Sequence, residues 1–335
     1  MKLMYRLKKL LRKNEFYLGM VILALVVFLS ITTDSFLNLG NLIELFTSYS
    51  FLGIMSAGML VVLISGGIDL SFTAIATIAQ YTMSITIINQ GGNLFIAFLI
   101  GAVIGIGLGI INALLIHFIK THPLIITIAT LNVYKGFLMY FSKGKWIYNF
   151  PVWFYGPHDV FVFKGTDGAI YPISLSLFLF IAIFIVTGFI LKYTNIGRKI
   201  YAMGGNKEAA RRMGFNLLGL TIFVYGFIGL LSGIGSVSHA LIVQTVAPNA
   251  IIGKELDVIA AVVLGGASLQ GGQGSVTGTI LGVSLVAIIS NAVILLGIPS
   301  YWYQIFLGAI IVISVSMTAY NNKRNMKKEA EIDVA

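Results

Sequence analysis

The 335-residue sequence contains no cysteine and very little charge. Without cysteine there are no disulfides, thiolate metal sites or thiol nucleophiles, and the redox compartment is left open. Charged residues make up 10% of the chain, against about 25% in an ordinary soluble domain. A water-soluble protein of this size could not cover its exterior with so few polar groups. Catalytic signatures are missing as well. There is no G-x-x-x-x-G-K-[ST], H-E-x-x-H or G-x-S-x-G, so neither phosphate cradling by a P-loop nor the common hydrolase constellations are available. GGQGSVTG at 271–278 has Thr277 where the third glycine of a dinucleotide loop would stand. The four histidines, His117, His122, His158 and His239, fall at no metal-ligand spacing.

What is present is apolar. Hydrophobic residues are 58% of the chain, and the mean hydropathy is +0.94. A helix crossing the hydrocarbon core needs about 20 mostly apolar residues, and only helices or closed barrels satisfy the backbone there. The apolar runs are continuous and lack strand alternation. They predict an all-α polytopic membrane protein of about ten transmembrane helices, at 16–33, 50–65, 71–88, 94–118, 123–141, 173–191, 216–236, 257–269, 276–296 and 300–318. The stretch 37–48, with Glu44 and two asparagines, reads as interfacial.

Orientation follows from where the 22 lysines and arginines fall, which give a net charge of +10. Most lie in a basic arm at 1–15, at Lys120, in the loop at 192–215 and in the tail at 319–335. Positive charge is retained inside, so both termini and these loops are expected to be cytoplasmic, with 16–318 as one transmembrane domain. Charge ordered by loop, rather than by face, argues against nucleic acid as a partner and for the lipid bilayer. The loop at 142–172 is rich in aromatics. It reads either as an interfacial belt or as a docking surface for an external protein.

Few ionisable groups fall within the spans, and intramembrane charge is functional by default. Asp69 in SGGIDLS follows two glycines that interrupt a helix. It is either a cap for the helix that follows or part of a transport path. Lys135 can snorkel, and Asp257 has the place of a helix-opening carboxylate. Scarce membrane acids argue against an ion-coupled carrier. Gly101, Gly105 and Gly109, and again Gly274, Gly278 and Gly282, recur every fourth residue, a spacing that lets helix backbones approach. The breaks at Gly66–Gly67 and Gly265–Gly266 lie in similar wording, VVLISGGIDLS and AVVLGGASLQG. Such paired interruptions point to a translocation site. In the basic loop, 207–214 reads as a short helix after a glycine turn, with Glu208 early and Arg211 and Arg212 late. It suits either an anionic lipid surface or a groove on a protein.

Five blocks carry a resemblance: SGGIDLS at 65–71, THPLIITIATLNVYKG at 121–136, GRKIYAMGGNKEAARRMG at 197–214, DVIAAVVLGGASLQGGQGSVTGTILG at 257–282, and GIPSYWYQIFLGAIIVISV at 297–315. Together they resemble the membrane permease subunits of ribose-type carbohydrate ABC importers, in order through nearly the whole chain. GKWIYNFP and the surroundings of GGIDLS are nearest the rhamnose and autoinducer-2 branch. The resemblance implies a non-enzymatic subunit of the bacterial cytoplasmic membrane, with ATP bound by a partner ATPase and no cofactor or metal of its own. It also implies an extracytoplasmic sugar-binding protein and a second permease, identical or paralogous. It makes Gly204, Gly205, Asn206, Glu208, Ala209 and Ala210 the segment that couples to the ATPase. Gly66, Gly67, Asp69, Gly265 and Gly266 are carried as candidates for the path. The alternatives are a stand-alone ion-coupled carrier, or a related permease for nucleosides or branched-chain amino acids.

Overall fold

The computed structural model describes residues 14–156, 158–165 and 168–312. Most of the basic arm, the whole tail and the end of the last expected span lie outside them. All ten expected segments contain a helix. They are α1 (Asn14–Thr32), α3 (Ser50–Ile64), α4 (Phe72–Gln90), α5 (Leu94–Ile119), α6 (Pro123–Ser142), α8 (Leu175–Tyr193), α11 (Leu217–Val243), α12 (Glu255–Leu264), α13 (Val276–Leu295) and α14 (Tyr301–Val312). Between them lie α2 (Leu39–Ser48), the one-turn α7 (Val152–Tyr155), α9 (Asn195–Gly205) and α10 (Lys207–Arg212).

The count of ten crossings is not reproduced by length and composition. Among the described residues, six helices are long and apolar enough to cross a membrane: α1, α5, α6, α8, α11 and α13. A seventh appears if α2 and α3, which meet at a 50° bend, form one broken span. The stretch read as interfacial is thus helical and turns by 50° into the next helix. Apart from the bent α2–α3 pair and α14, which is described only as far as Val312, the shortfall has two physical causes. At a rise of 1.5 Å per residue, the ten residues of α12 reach only about 15 Å, because the apolar run at 257–269 leaves the helix at Gly265. α4 is long enough but polar. It sits inside the bundle against α5, α6 and α11, where Thr73, Thr77, Gln80 and Ser84 are fully buried. A helix wrapped by protein needs no lipid-facing apolar surface, provided its polar groups are bonded. Thr77 donates to the Thr73 carbonyl at 2.7 Å, and the Gln80 amide to Ser236 O at 3.0 Å.

The chain is also not wholly helical. In the aromatic loop, β1 (Asp159–Lys164) and β2 (Ile170–Ser174) pair antiparallel as a hairpin. Alternation within this loop is weak, so apolar run length could not separate strand from interfacial coil. Ile147 of the same loop bridges Val246 in the 244–254 connection.

The most extensive helix pairing is α5 on α11, and it follows the four-residue glycine spacing. A Cβ on Gly105 would collide with the Gly229 carbonyl, and one on Gly109 with the Tyr225 carbonyl. Gly233 is equally tight against Gly101. The same logic joins α12 to α13, where Gly265 abuts Gly278 and Gly282 abuts Ala261. Gly107, by contrast, has open space around it. We expect Gly105→Leu to destabilise the detergent-solubilised protein by about 3 kcal/mol or more, read as a lowered midpoint of thermal aggregation, whereas Gly107→Ala leaves it unchanged.

Candidate functional site

The two glycine breaks are the same structure. After α3, the Gly67 N–H donates to Val62 O at 3.1 Å and the Gly66 N–H to Leu63 O at 2.9 Å. After α12, the Ala267 N–H donates to Val262 O at 3.2 Å and the Gly266 N–H to Val263 O at 2.9 Å. Gly66 and Gly266 have φ of +82° and +90°, the left-handed turn that a helix-ending Schellman motif requires and glycine supplies without strain. The repeated wording thus encodes a repeated stop. At these glycines it closes a helix. Gly265 serves close packing on α13, and Gly67 lies under the Tyr225 hydroxyl.

The basic loop folds back onto the first break. α9 begins at Thr194, whose hydroxyl accepts from the Gly197 N–H at 3.1 Å, and it buries Gly197, Ile200 and Met203 on one face. Gly204 and Gly205 are the last residues of this helix, not a turn before the next. A Cβ on Gly204 would strike the Ile64 carbonyl and come within 2.7 Å of the Gly272 nitrogen. In that gap the Gly272 N–H donates to Ile64 O at 2.8 Å. The Tyr201 hydroxyl donates to Gly274 O at 2.8 Å, and burial raises its pKa above the ordinary phenol value. The ends of α3, α9 and the α12–α13 connection therefore meet as bare backbone. Beside this knot is a cleft of about 290 Å³ lined by Gly66, Gly67, Gly204, Asn206, Lys207 and Tyr225.

α10 stands on the outer side of the knot. Asn206 both ends α9 and caps α10, its Oδ1 accepting from the Ala209 N–H at 2.9 Å. Ala210 is fully buried, while Gly205, Asn206, Lys207, Glu208 and Ala209 are exposed. Glu208 lies 3.5 Å from Arg212 and 3.9 Å from Arg211, with all three side chains more than half exposed. Pairs so open to water are worth little to stability, which leaves their charge available to a partner. The six residues expected to couple thus divide: Gly204 and Ala210 hold the segment down, and the other four face outward.

Asp69 is fully buried. Its Oδ1 accepts from the Ser71 N–H at 2.7 Å and the Ser71 hydroxyl at 2.5 Å. Asn112 of α5 donates to the Ser71 hydroxyl at 2.6 Å, and Tyr134 of α6 donates to Asn112 at 3.0 Å. The carboxylate anchors the turn before α4 and ties it to two neighbouring helices. Sequence reading missed Glu255, which accepts from the Thr73 hydroxyl and, at 2.9 Å, from the Gly253 N–H. Its signal was placement: Lys254, Glu255 and Asp257 sit together at the head of an apolar run. Among the described residues no group of histidines and acids could hold a metal.

We expect Gly204→Ala to lower the unfolding midpoint through the clash at Ile64, by about 1–3 kcal/mol. Gly205→Ala, where a Cβ meets nothing within 4 Å, leaves stability unchanged in the same melt.

The sequence is similar to known proteins along most of its length. The family described as the branched-chain amino acid transport system / permease component matches residues 41–315. The ribose import permease protein RbsC of Bacillus subtilis (strain 168) is 34% identical over 89% of this chain and 90% of its own length. The L-arabinose ABC transporter permease protein AraH of Azospirillum brasilense is 31% identical over 94% and 91%. The autoinducer 2 import system permease protein LsrC of Yersinia enterocolitica is 28% identical over 88% and 79%. With a bundle of membrane-length helices and a match from the second helix to the last, the chain belongs to this family of transport permeases.

Proposed function

We propose that the chain is the membrane-spanning permease subunit of an ATP-binding-cassette importer in a bacterial cytoplasmic membrane, forming the path for a small sugar. The observation that carries this is similarity to ribose and arabinose permeases over about nine tenths of both chains. The family's description names branched-chain amino acids, so a permease for that cargo is the second reading. An uptake assay with the two solute classes separates them.

The path crosses ten times with both termini inside. Four contacts support that count. Glu15, at the start of α1, bonds to Ser275 at the start of α13, and Gly204 and Gly271 both lie on Gly66. These loops share one end of the bundle, which is also the basic end. Ile147 and Val246 meet at the other. α12 then completes its crossing together with the extended connection before it, and α4 with the non-helical 65–71. Because the chain lacks cysteine, single replacements report sidedness directly. Lys207→Cys should react with a membrane-impermeant maleimide only in inverted vesicles, and Lys145→Cys only in intact cells.

Drive enters through α10. ATP held by a separate ATPase subunit closes its two nucleotide-binding units, and the outward residues Gly205, Asn206, Glu208 and Ala209 receive that motion. Gly204 passes it by backbone contact to α3 and to the connection leading into α13, rocking the bundle between its two openings. Sugar moves without chemical change, delivered by an extracytoplasmic binding protein. A second permease, identical or paralogous, closes the path. Glu208→Arg and Gly205→Trp should each abolish ATP-dependent uptake and lower ATPase retention more than about tenfold, by like-charge and steric clash at a contact surface. Both should leave membrane insertion intact.

A further inference from the structure

α12 is a half-length helix, and its first turn carries Glu255 and Asp257 directly after Lys254. Its far end is fixed: Gly265 abuts Gly278 in the first turn of α13, and Ala261 abuts Gly282 one turn on. Ten residues at 1.5 Å place Glu255 about 15 Å along α13 from that end, half of a ~30 Å hydrocarbon core. An independent ruler agrees. Glu255 bonds to Thr73, and Ser71, two residues before it, bonds to Asn112. Asn112 lies about two turns, or ~10 Å, from the Ile119 end of α5. The N-termini of α4 and α12 therefore converge near mid-depth, joined side chain to side chain.

This place is charged and open. The Lys254 ammonium is 3.1 Å from Asp257, with 45% of the lysine side chain exposed, and the neighbouring Leu256 is 63% exposed. Hydrocarbon against such a surface would strand ionised groups, so it faces an aqueous path. Lys254 is already neutralised by Asp257. Among the described residues Glu255 bonds to Thr73 and the Gly253 N–H, an acceptor with remaining lone pairs. Two turns up the same face of α4, Gln80 is fully buried, and its Oε1 has no hydrogen-bond partner among the described residues. Both groups accept from donors, and the local excess charge is negative.

We infer that Glu255 and Thr73 form the mid-depth contact at which the path recognises its solute. The Glu255 carboxylate accepts from hydroxyls of a neutral polyhydroxylated solute, which displace the Thr73 hydroxyl, and its charge disfavours anionic solutes. This rests on the importer reading and adds to it the residues that meet the cargo.

The test uses the full complex of this chain with its ATPase and binding protein in proteoliposomes, with radiolabelled ribose and arabinose as probes. Uptake per assembled complex and ATPase activity stimulated by the loaded binding protein are both measured. Glu255→Ala should lower uptake at least about tenfold, the cost of losing hydrogen bonds to a charged group, while stimulated ATPase activity stays within about twofold of wild type. Thr73→Val should show the same split, and Thr73→Ser should restore uptake. Uptake per complex equal to wild type in Glu255→Ala and Thr73→Val overturns the proposal while leaving the importer reading in place. Should Glu255→Ala fail to assemble, the two Thr73 variants decide alone: parallel loss of uptake and ATPase activity in Thr73→Val marks a structural role and overturns it. A wild-type complex that moves neither sugar with ATP is a different failure, that of the sugar importer reading itself.

Discussion

The hydrogen bond from Gly272 N–H to the Ile64 carbonyl is the contact on which the arrangement turns. It closes the end of α3 onto the connection leading into α13, and it forms in a gap that Gly204 leaves by having no side chain. Bonds between backbone groups at van der Waals distance have almost no rotamer freedom to absorb displacement. A push on α9 therefore becomes a push on two bundle helices. Long side chains at the same place would bend instead, and the motion would be lost in them. The basic loop carries its charge outward, at Lys207 and Glu208, and its smallness inward, at Gly204 and Ala210.

The same principle builds the bundle. In lipid there is no hydrophobic drive between helices, and close backbone approach takes its place. α5 and α11 meet through glycines at four-residue spacing, and α12 and α13 repeat the device. This leaves α4 enclosed and free to carry a polar face, and it holds Asp69 and Ser71 of the non-helical stretch 65–71 inside protein. Irregular backbone at membrane depth is tolerated only there or along a water-filled cavity.

Much of this was legible in the sequence. Glycine spacing announced close-packed faces at 101–109 and 274–282, and the paired VVLISGG and AVVLGGA wording announced two similar helix breaks. Family blocks singled out the segment at 204–210, which the fold lays against the end of α3. Run length was the poor guide. It counted 257–269 as a span although the helix stops at Gly265, and it gave no sign of the hairpin at 159–174. It also could not tell Gly204, which is locked against Ile64, from Gly205, which is open; that difference exists only once α3 is beside α9. Glu255 escaped notice because a carboxylate before an apolar run looks like an ordinary helix start, and its depth is set by α13, a partner distant in sequence. Asp69 was read as either cap or path residue. Its bond from the Ser71 N–H is the cap reading's, and the Ser71–Asn112–Tyr134 chain of bonds adds a tertiary role to it.

The central claim is that this chain moves solute only when a separate ATPase acts on it. The most direct measurement is to tag the chain in its native host, solubilise it gently, identify what co-purifies by mass spectrometry, and assay the purified material in liposomes with and without ATP. The account predicts a stoichiometric P-loop ATPase and uptake that requires ATP. A chain that purifies alone and transports fully in liposomes without ATP would contradict it, and would make this an autonomous carrier built on a permease fold.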